Sequence, residues 1–295
     1  MMKGHITLKT HKLMKNTPED FVLDALLNLV SGNKVYPRSK LKKDSEHYSL
    51  DSRIFIGEKN EEIEEIRIRP GTKIIGKFAF QDCINLKRVE MPDSVTEIRA
   101  YAFKNCVSLE KIVLPDSIRG IHIGAFKDCI ALRKIVLPSE LKRLGPKVFA
   151  GCAALESVNI IASLTSIHEG MFMNCINLKE VKMPCNLEFI GPKVFECCKS
   201  LKDINLPDSL KSIGMETFAE CESLNSIKIP DSVEKIGSGC FRNCRNLKNV
   251  ALPEGLKRLR TFTFAGCFNL SEINIPSGLQ RVGNDVFQGS WINLE

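Results

Sequence analysis

Twelve cysteines are the most conspicuous reactive residues in this chain of 295 residues. Nine of them recur at a spacing of 23 residues, from Cys83 to Cys267. If each 23-residue unit stacks on the next, neighbouring cysteines lie about 4.8 Å apart, a distance that does not exclude disulfides. An odd number without a paired pattern is nevertheless more typical of a buried series of small apolar side chains. We predict reduced, buried thiols here, and we expect reactivity at the three cysteines outside the series, Cys185, Cys197 and Cys240.

Other residues with catalytic or metal-binding potential give weak patterns. In stacked units Glu180 and Asp203 have backbones about 5 Å apart, near the carboxyl separation of retaining glycosidases. An open sheet face offers no pocket to raise the pKa of one acid, and lysines flank both. His122 and His168 are two units apart, about 10 Å, which is too far to share a zinc ion with ligands near 2.1 Å. No other catalytic, cofactor or metal motif is present, so the sequence predicts no enzyme, no cofactor and no metal site.

The element that would position these residues is a strict repeat. A phenylalanine occurs every 23 residues, ten times, from Phe80 to Phe287. Before it come a leucine, an Ile-x-Leu run and usually a proline, as in the segment 109–126. The alternation predicts a short half-buried strand, and the proline marks where its pairing ends. One unit has Ile161 in place of the proline, and we expect a local change of path there.

The pattern LxxIxLPxxLxxIGxxxFxxC resembles the BspA-like, or Treponema pallidum-type, leucine-rich repeat family over residues 63–293. The resemblance implies an α/β-type repeat solenoid of about ten 23-residue units. It would form a right-handed superhelix with a parallel sheet on the concave face and short 3₁₀ or irregular segments on the convex face. Glycine follows the last aliphatic residue in six units, and side chains at the other four indicate a turn of ordinary dihedral angles. Family members include surface adhesins that bind host or matrix proteins.

The two ends depart from the repeat. Residues 1–62 are predicted to form a capping region that includes a helix starting at Thr17 and ending near Gly32. A docking helix with its own partner is the alternative. Residues 63–295 are predicted to form the solenoid. At its end either Trp291 and Leu294 form a minimal cap or the open sheet edge pairs with another molecule, so we expect a monomer or a weak end-to-end dimer.

The residues beside the central Ile or Val of each strand should point outward in two columns. Unlike the core positions, these columns vary in residue type, which favours a protein-binding surface over a merely solvated face. Their amino-terminal half combines basic residues with two exposed valines, and their middle alternates charged residues with asparagines. The candidate partner-binding residues are Arg88, Lys111, Val113, Lys134, Val136, Asn159, Glu180, Lys182, Asp203, Asn205, Lys228 and Asn274.

Composition excludes several classes of partner. The chain has 42 basic and 35 acidic residues, a net charge of +7, but the two signs are interspersed. The outward columns have no aromatic side chain for base stacking, so nucleic-acid binding is disfavoured. No run of 18 apolar residues is present, so no membrane span is predicted. The first residues lack the features of a secretory signal, and reduced thiols agree with a cytoplasmic location. Family resemblance makes the cell surface the alternative.

These observations predict a non-enzymatic scaffold that binds a protein through its concave face. Two alternatives stay open at this point. The chain could be an exported adhesin for host or matrix proteins, or it could bind a polyanion or glycan through the basic strip of Arg88, Lys111 and Lys134.

Overall fold

The computed structural model describes residues 54–55 and 63–292. The predicted helix between Thr17 and Gly32, and most of the predicted capping region, lie outside the described residues, as does Leu294. Within the described part the chain winds through stacked coils that advance by 23 residues, and every paired strand runs parallel to its neighbour. This architecture is the predicted leucine-rich repeat solenoid.

The Ile-x-Leu runs form one parallel ladder, which we call the first ladder. Its strands have an exposed–buried–exposed pattern, so the central residue enters the core and the two flanking residues point outward. The outward side of this ladder is called the strand face below. The strands are β2 (Glu65–Arg67), β4 (Arg88–Glu90), β7 (Lys134–Leu137), β9 (Ser157–Ile160), β11 (Glu180–Lys182), β14 (Ser226–Lys228), β16 (Asn249–Ala251) and β18 (Glu272–Ile273).

A second parallel ladder runs along another side of the coils. Its strands have two residues each, and nearly all end on a buried aliphatic side chain such as Ile98 or Ile190. The strands are β1 (Ile54–Phe55), β3 (Ile74–Ile75), β5 (Glu97–Ile98), β6 (Gly120–Ile121), β8 (Arg143–Leu144), β10 (Ser166–Ile167), β12 (Phe189–Ile190), β13 (Ser212–Ile213), β15 (Lys235–Ile236), β17 (Arg258–Leu259) and β19 (Arg281–Val282).

Both ladders are interrupted. In the first, the coil of Lys111 makes only a single bridge to Lys134, and the coil of Asp203 forms no strand, so β11 and β14 belong to separate sheets. In the second, β8 and β10 do not pair, at a break beside Ile161, and β15 and β17 do not pair either. The Leu164 N–H donates to Ala162 and not to residue 161, so the predicted local change of path at Ile161 is confirmed.

The core between the ladders is built from repeated side chains. The nine phenylalanines from Phe80 to Phe264 are fully buried, and Phe287 packs at the end of the row. Consecutive ring centroids lie 4.9–5.8 Å apart with interplanar angles of 2–14°. Dispersion between these stacked rings and removal of their surface from water hold neighbouring coils together.

The third side of each coil consists of tight turns, with no 3₁₀ helix among the described residues. The prediction of irregular segments on the convex side is therefore confirmed, and the prediction of 3₁₀ segments there is wrong. Each turn contains residues with positive φ, such as Tyr101 (56°) and Asn105 (59°), which break a continuous helical path. Backbone N–H groups here donate to the next coil, as from Phe103 to Ala125 (2.8 Å), so these turns are also bonded between coils.

Candidate protein-binding surface

The strand face presents two columns of outward side chains, as the alternation predicts. Parallel pairing aligns Lys134, Ser157 and Glu180 in one column, and it aligns Val136, Asn159 and Lys182 in the other. Because the pairs are in register, equivalent side chains of successive units lie along one line on the surface. Eight of the twelve predicted residues lie at paired positions of these columns, and Val113, Asp203, Asn205 and Asn274 belong to them by repeat register alone.

Four residues form a contiguous basic–apolar patch on this face: Lys111, Val113, Lys134 and Val136. Val113 is 65% exposed and Val136 is 57% exposed, while Ile112 and Ile135 between the flanking residues are buried. Neither lysine has a carboxylate within ion-pair distance among the described residues. The patch therefore combines two uncompensated charges with two β-branched apolar side chains.

Arg88 lies on the same face, but its charge is already paired within the protein. Its guanidinium pairs with Glu65 on the neighbouring coil, and Arg67 pairs with Glu90. The hydrogen bond from Arg67 lowers the pKa of Glu90. These crossed pairs neutralise the amino-terminal part of the strand face, so the predicted basic strip begins at Lys111.

The middle of the strand face carries the other charged candidates. Lys182 and Glu180 approach within 3.8 Å on one strand. Asp203 and Asn205 lie on the coil without a strand, and with Lys228 they line a cavity of about 270 Å³. Asp208 and Pro230 complete one rim of this cavity. No sequence pattern predicted that Asp208 and Pro230 line a cavity, because the cavity lies where the coil of Asp203 forms no strand.

Asn274 has a structural role that the sequence did not indicate. Its side-chain oxygen accepts from the backbone N–H of Leu252 at 2.6 Å, and its amide donates to the Leu252 carbonyl at 2.9 Å. Both polar ends are thus bonded to the main chain of the preceding coil. Asn274 is the least suited of the predicted residues to contact a partner.

The residues considered for catalysis are not assembled into a reactive site. Glu180 and Asp203 share a column, but the ladder is broken between them and Glu180 already approaches Lys182. His122 and His168 line one cleft with Gly145 between them along the chain. In the part of the chain that the structure describes, no group of three or more His, Cys, Asp or Glu side chains has metal-binding geometry. No described helix is long and apolar enough to cross a membrane.

All twelve cysteines are free thiols, and ten of them are buried. Burial raises the pKa of ladder cysteines such as Cys152 and Cys175, which makes the reactive thiolate scarce. Cys240 is fully buried and its pKa is likewise raised, so its predicted reactivity is wrong. Cys185 is exposed, and Cys197 is half-buried with a pKa raised to about 11, first by desolvation and then by Glu220.

The carboxyl-terminal edge of the strand face has an apolar hollow of about 970 Å³. Trp291, Ile275 and Ile292 line it beside the edge of β18 that pairs with no strand in the described part of the chain. The Trp291 side chain is 79% exposed, whereas Ile292 packs against the core. Ile292 rather than Trp291 therefore covers the end of the described core.

Comparison with known proteins agrees with this architecture. The family model for the BspA-type leucine-rich repeat region matches residues 50–179 and 165–293. A leucine-rich repeat protein from Bacteroides ovatus is 27% identical, with a TM-score of 0.53 over 80% of this chain and 78% of that one. The T. pallidum leucine-rich repeat protein is 34% identical, with a TM-score of 0.48 over 58% of this chain and 76% of that one.

A leucine-rich cell surface protein from Faecalibacterium prausnitzii is 25% identical, with a TM-score of 0.47 over 72% of this chain and 73% of that one. Among curated proteins, none matches the chain significantly. Both the repeat register and the stacked parallel strands are accounted for by one family, which is a family of repeat proteins and generally of non-enzymatic scaffolds. The chain belongs to the BspA-type leucine-rich repeat family.

Proposed function

We propose that this chain is a non-enzymatic scaffold that binds another protein through its strand face. The observation that carries the proposal is the basic–apolar patch of Lys111, Val113, Lys134 and Val136. Among exposed large hydrophobic side chains of the described residues, only Trp291 is more exposed than Val113. Two such valines on adjacent coils, next to unpaired lysines, are costly to leave in water and useful in an interface.

The chemistry of the patch indicates the kind of partner surface. Each lysine offers an ammonium group without a competing internal carboxylate, so a carboxylate on the partner would gain a full ion pair. The valines offer flat apolar area that aliphatic or aromatic side chains can cover. We infer that the partner presents acidic residues beside an apolar contact, and that the Glu180, Lys182 and Lys228 region extends the contact toward the cavity at Asp203.

The proposal is tested by charge reversal with a matched control. The patch variant is Lys111→Glu/Lys134→Glu. The control is Lys235→Glu/Lys257→Glu, which makes the same change of charge at exposed lysines on the second-ladder side of neighbouring coils. Both variants should retain the wild-type circular dichroism spectrum, because none of the four lysines makes an ion pair among the described residues.

Partners captured by the wild-type protein are then purified and their dissociation constants are measured with each variant. We expect the patch variant to bind at least about tenfold more weakly and the control to match the wild type. A Lys182→Glu/Lys228→Glu variant reports whether the middle of the face contributes. Unchanged binding by the patch variant, or equal loss in the control, would contradict the proposal.

A Val113→Asn/Val136→Asn variant separates a protein partner from a polyanion. A protein that covers the valines should be weakened by this change, and its binding should persist as salt is raised. A polyanion held by the lysines alone should ignore the valine change and lose affinity steeply with added salt. That second result would replace the protein-binding proposal with polyanion binding.

A further inference from the structure

The break in the second ladder between β8 and β10 opens a cleft that the strand face does not involve. The cleft has a volume of about 500 Å³, and its walls come from the coils of Ile121, Leu144 and Leu164. His122, Lys142 and His168 supply polar side chains to its lining. The size is in the range of small-ligand sites, roughly 300–1,000 Å³.

The turn before this break departs from the repeat. In regular coils the turn after the first ladder starts at a proline whose carbonyl accepts from the leucine three residues later, as from Leu141 to Pro138 (3.2 Å). In the coil of Ile161 the Leu164 N–H donates instead to Ala162 (2.9 Å), only two residues before it. The turn is therefore one residue tighter, and the chain reaches β10 on a different path.

Three backbone hydrogen bonds are missing at this junction, as they also are between β15 and β17, where the turn at Pro253 is regular. At the preceding junction Lys142 and Gly145 donate to carbonyls of the coil before (2.9 and 2.8 Å), and at the following junction Glu188 and Gly191 do the same (both 2.8 Å). The equivalent N–H groups at this junction belong to Thr165, Ser166 and His168, and none has a backbone partner among the described residues. The lining of the cleft therefore includes three residues whose backbone N–H groups have no backbone partner among the described residues.

The Ser163 hydroxyl also lacks the hydrogen bond that the equivalent serines make. In regular coils the serine of the turn donates to the preceding coil, as Ser117 does to Val95 and Ser232 to Leu210 (2.7 Å). Ser163 holds this position beside the cleft and makes no such bond in the described part of the chain. A fourth donor is therefore available.

The charge of the lining selects the sign of a ligand. No aspartate or glutamate lines the cleft, whereas Lys142 and Arg143 do. Two imidazoles also line it, but burial lowers the pKa of His122, whose Nε2 lies 3.4 Å from the Glu97 carboxylate. Arg143 is committed, because its guanidinium reaches across Gly120 to Glu97. Lys142 is exposed and has no carboxylate within ion-pair distance among the described residues. Uncompensated positive charge combined with free N–H groups favours an anion with several acceptor oxygens.

We propose that this cleft binds an oxyanion group, held by the Lys142 ammonium and by the backbone N–H groups of Thr165, Ser166 and His168. The shared chemistry is that of phosphate, either free or carried as a monoester on a small molecule. The apolar walls formed by Ile121, Leu144 and Leu164 leave room for the organic part of an ester.

The test is a titration of the full-length ¹⁵N-labelled protein with inorganic phosphate, followed by amide resonances at constant ionic strength. We expect saturable shifts at Thr165, Ser166 and His168, and we expect Lys142→Ala to weaken binding roughly fivefold. The matched control is Lys257→Ala, because Lys257 has the same repeat position and the junction that follows it is intact, with its carbonyl accepting from Gln280 and Arg281.

Two further arms complete the experiment. Phenyl phosphate should bind more tightly than phosphate if an ester is the ligand and equally if the free ion is. Ile161→Pro restores the regular turn residue and should reduce phosphate binding by closing the cleft. Shifts that sodium chloride reproduces at the same ionic strength, or an equal loss for Lys142→Ala and Lys257→Ala, would overturn the proposal.

Discussion

At the scale of single residues, the ladder cysteines act as hydrogen-bond donors between coils. From Cys106 to Cys267, each Sγ donates to the carbonyl of the ladder phenylalanine one coil earlier, at 3.0–3.2 Å. That carbonyl also accepts from the backbone N–H of the cysteine in its own coil, as Phe103 does from Cys106. A small, apolar side chain with a weak donor suits a dry position beside a carbonyl, which explains the repeat without disulfides or metal.

The thiols should differ sharply in reactivity. With a disulfide-exchange reagent at pH 8, we expect fast reaction at the exposed Cys185 and reaction at least about tenfold slower at Cys197, whose raised pKa leaves little thiolate. The ten buried thiols should react only after unfolding in urea. Absorbance of the released thiol counts the sites, and Cys185→Ser should remove the fast phase. More than two reactive thiols in the folded protein would contradict this account.

At the scale of elements, close stacking of coils explains the glycine that follows six of the second-ladder strands. The glycines at this position, such as Gly237, have ordinary φ values, so conformational freedom is not the reason for them. A Cβ atom on Gly237 would lie 2.3 Å from the nitrogen of Met215 and 2.4 Å from the carbonyl carbon of Gly214. Backbone atoms of the preceding coil occupy the space that a side chain needs.

Substitution of that glycine should therefore separate two coils. We expect Gly237→Ala to lower the free energy of unfolding by about 1–3 kcal/mol, because rigid backbone rather than a flexible side chain must move. Gly255→Ala is the matched control, since nothing lies within 4 Å of its added Cβ. That change should be neutral, or stabilising by up to about 1 kcal/mol. Urea denaturation measures both, and equal midpoints for the two variants would refute the close-approach explanation.

The elements also show what sequence patterns can and cannot predict. Alternation in Ile-x-Leu predicted the first ladder, because three or four residues suffice to show a period of two. The second-ladder strands have only two residues, too few for any period, and they pair only because stacking brings them together. The turns were predictable in part, since the residue before each of the nine ladder cysteines has positive φ and is Gly, Asn or Asp in seven of them. The exceptions are Cys197 and Glu220, whose side chains contact each other at 3.4 Å.

At the scale of the whole molecule, the sequence predicted which side chains form the surface columns better than it predicted which of them are free to contact a partner. Register placed Lys111 and Arg88 in the columns correctly, because the 23-residue repeat fixes which residues are neighbours. It could not show that Glu65 neutralises Arg88 or that Asn274 bonds to the main chain, since both depend on side-chain conformation. The cleft at β8 and β10 was visible only as Ile161 in place of proline.

The buried thiols together should make the whole fold sensitive to alkaline conditions. Burial raises the pKa of seven ladder thiols and of Cys240 above the ordinary value, with a neighbouring thiol as the first cause at Cys106. The unfolded chain therefore releases thiol protons at a lower pH than the folded protein does. Above the unfolded pKa of about 8.5 the unfolded state binds fewer protons, so stability must fall as pH rises.

The size of this effect follows from linkage. Each thiol that ionises only on unfolding should cost about 1.4 kcal/mol between pH 7.5 and 9.5, before most lysines and tyrosines titrate. Coils that unfold as one unit share the loss in proportion to the thiols they contain.

We expect the urea midpoint, measured under a reductant that prevents disulfide formation, to be constant up to about pH 8 and to fall steeply above it. Cys175→Ala should be less stable at pH 7.5, but its urea midpoint should fall less steeply with pH, because one thiol fewer ionises on unfolding. A midpoint that does not change from pH 7.5 to 9.5 would mean that the thiols ionise equally in both states, and the buried ladder would then not be the dry, close-packed core described above.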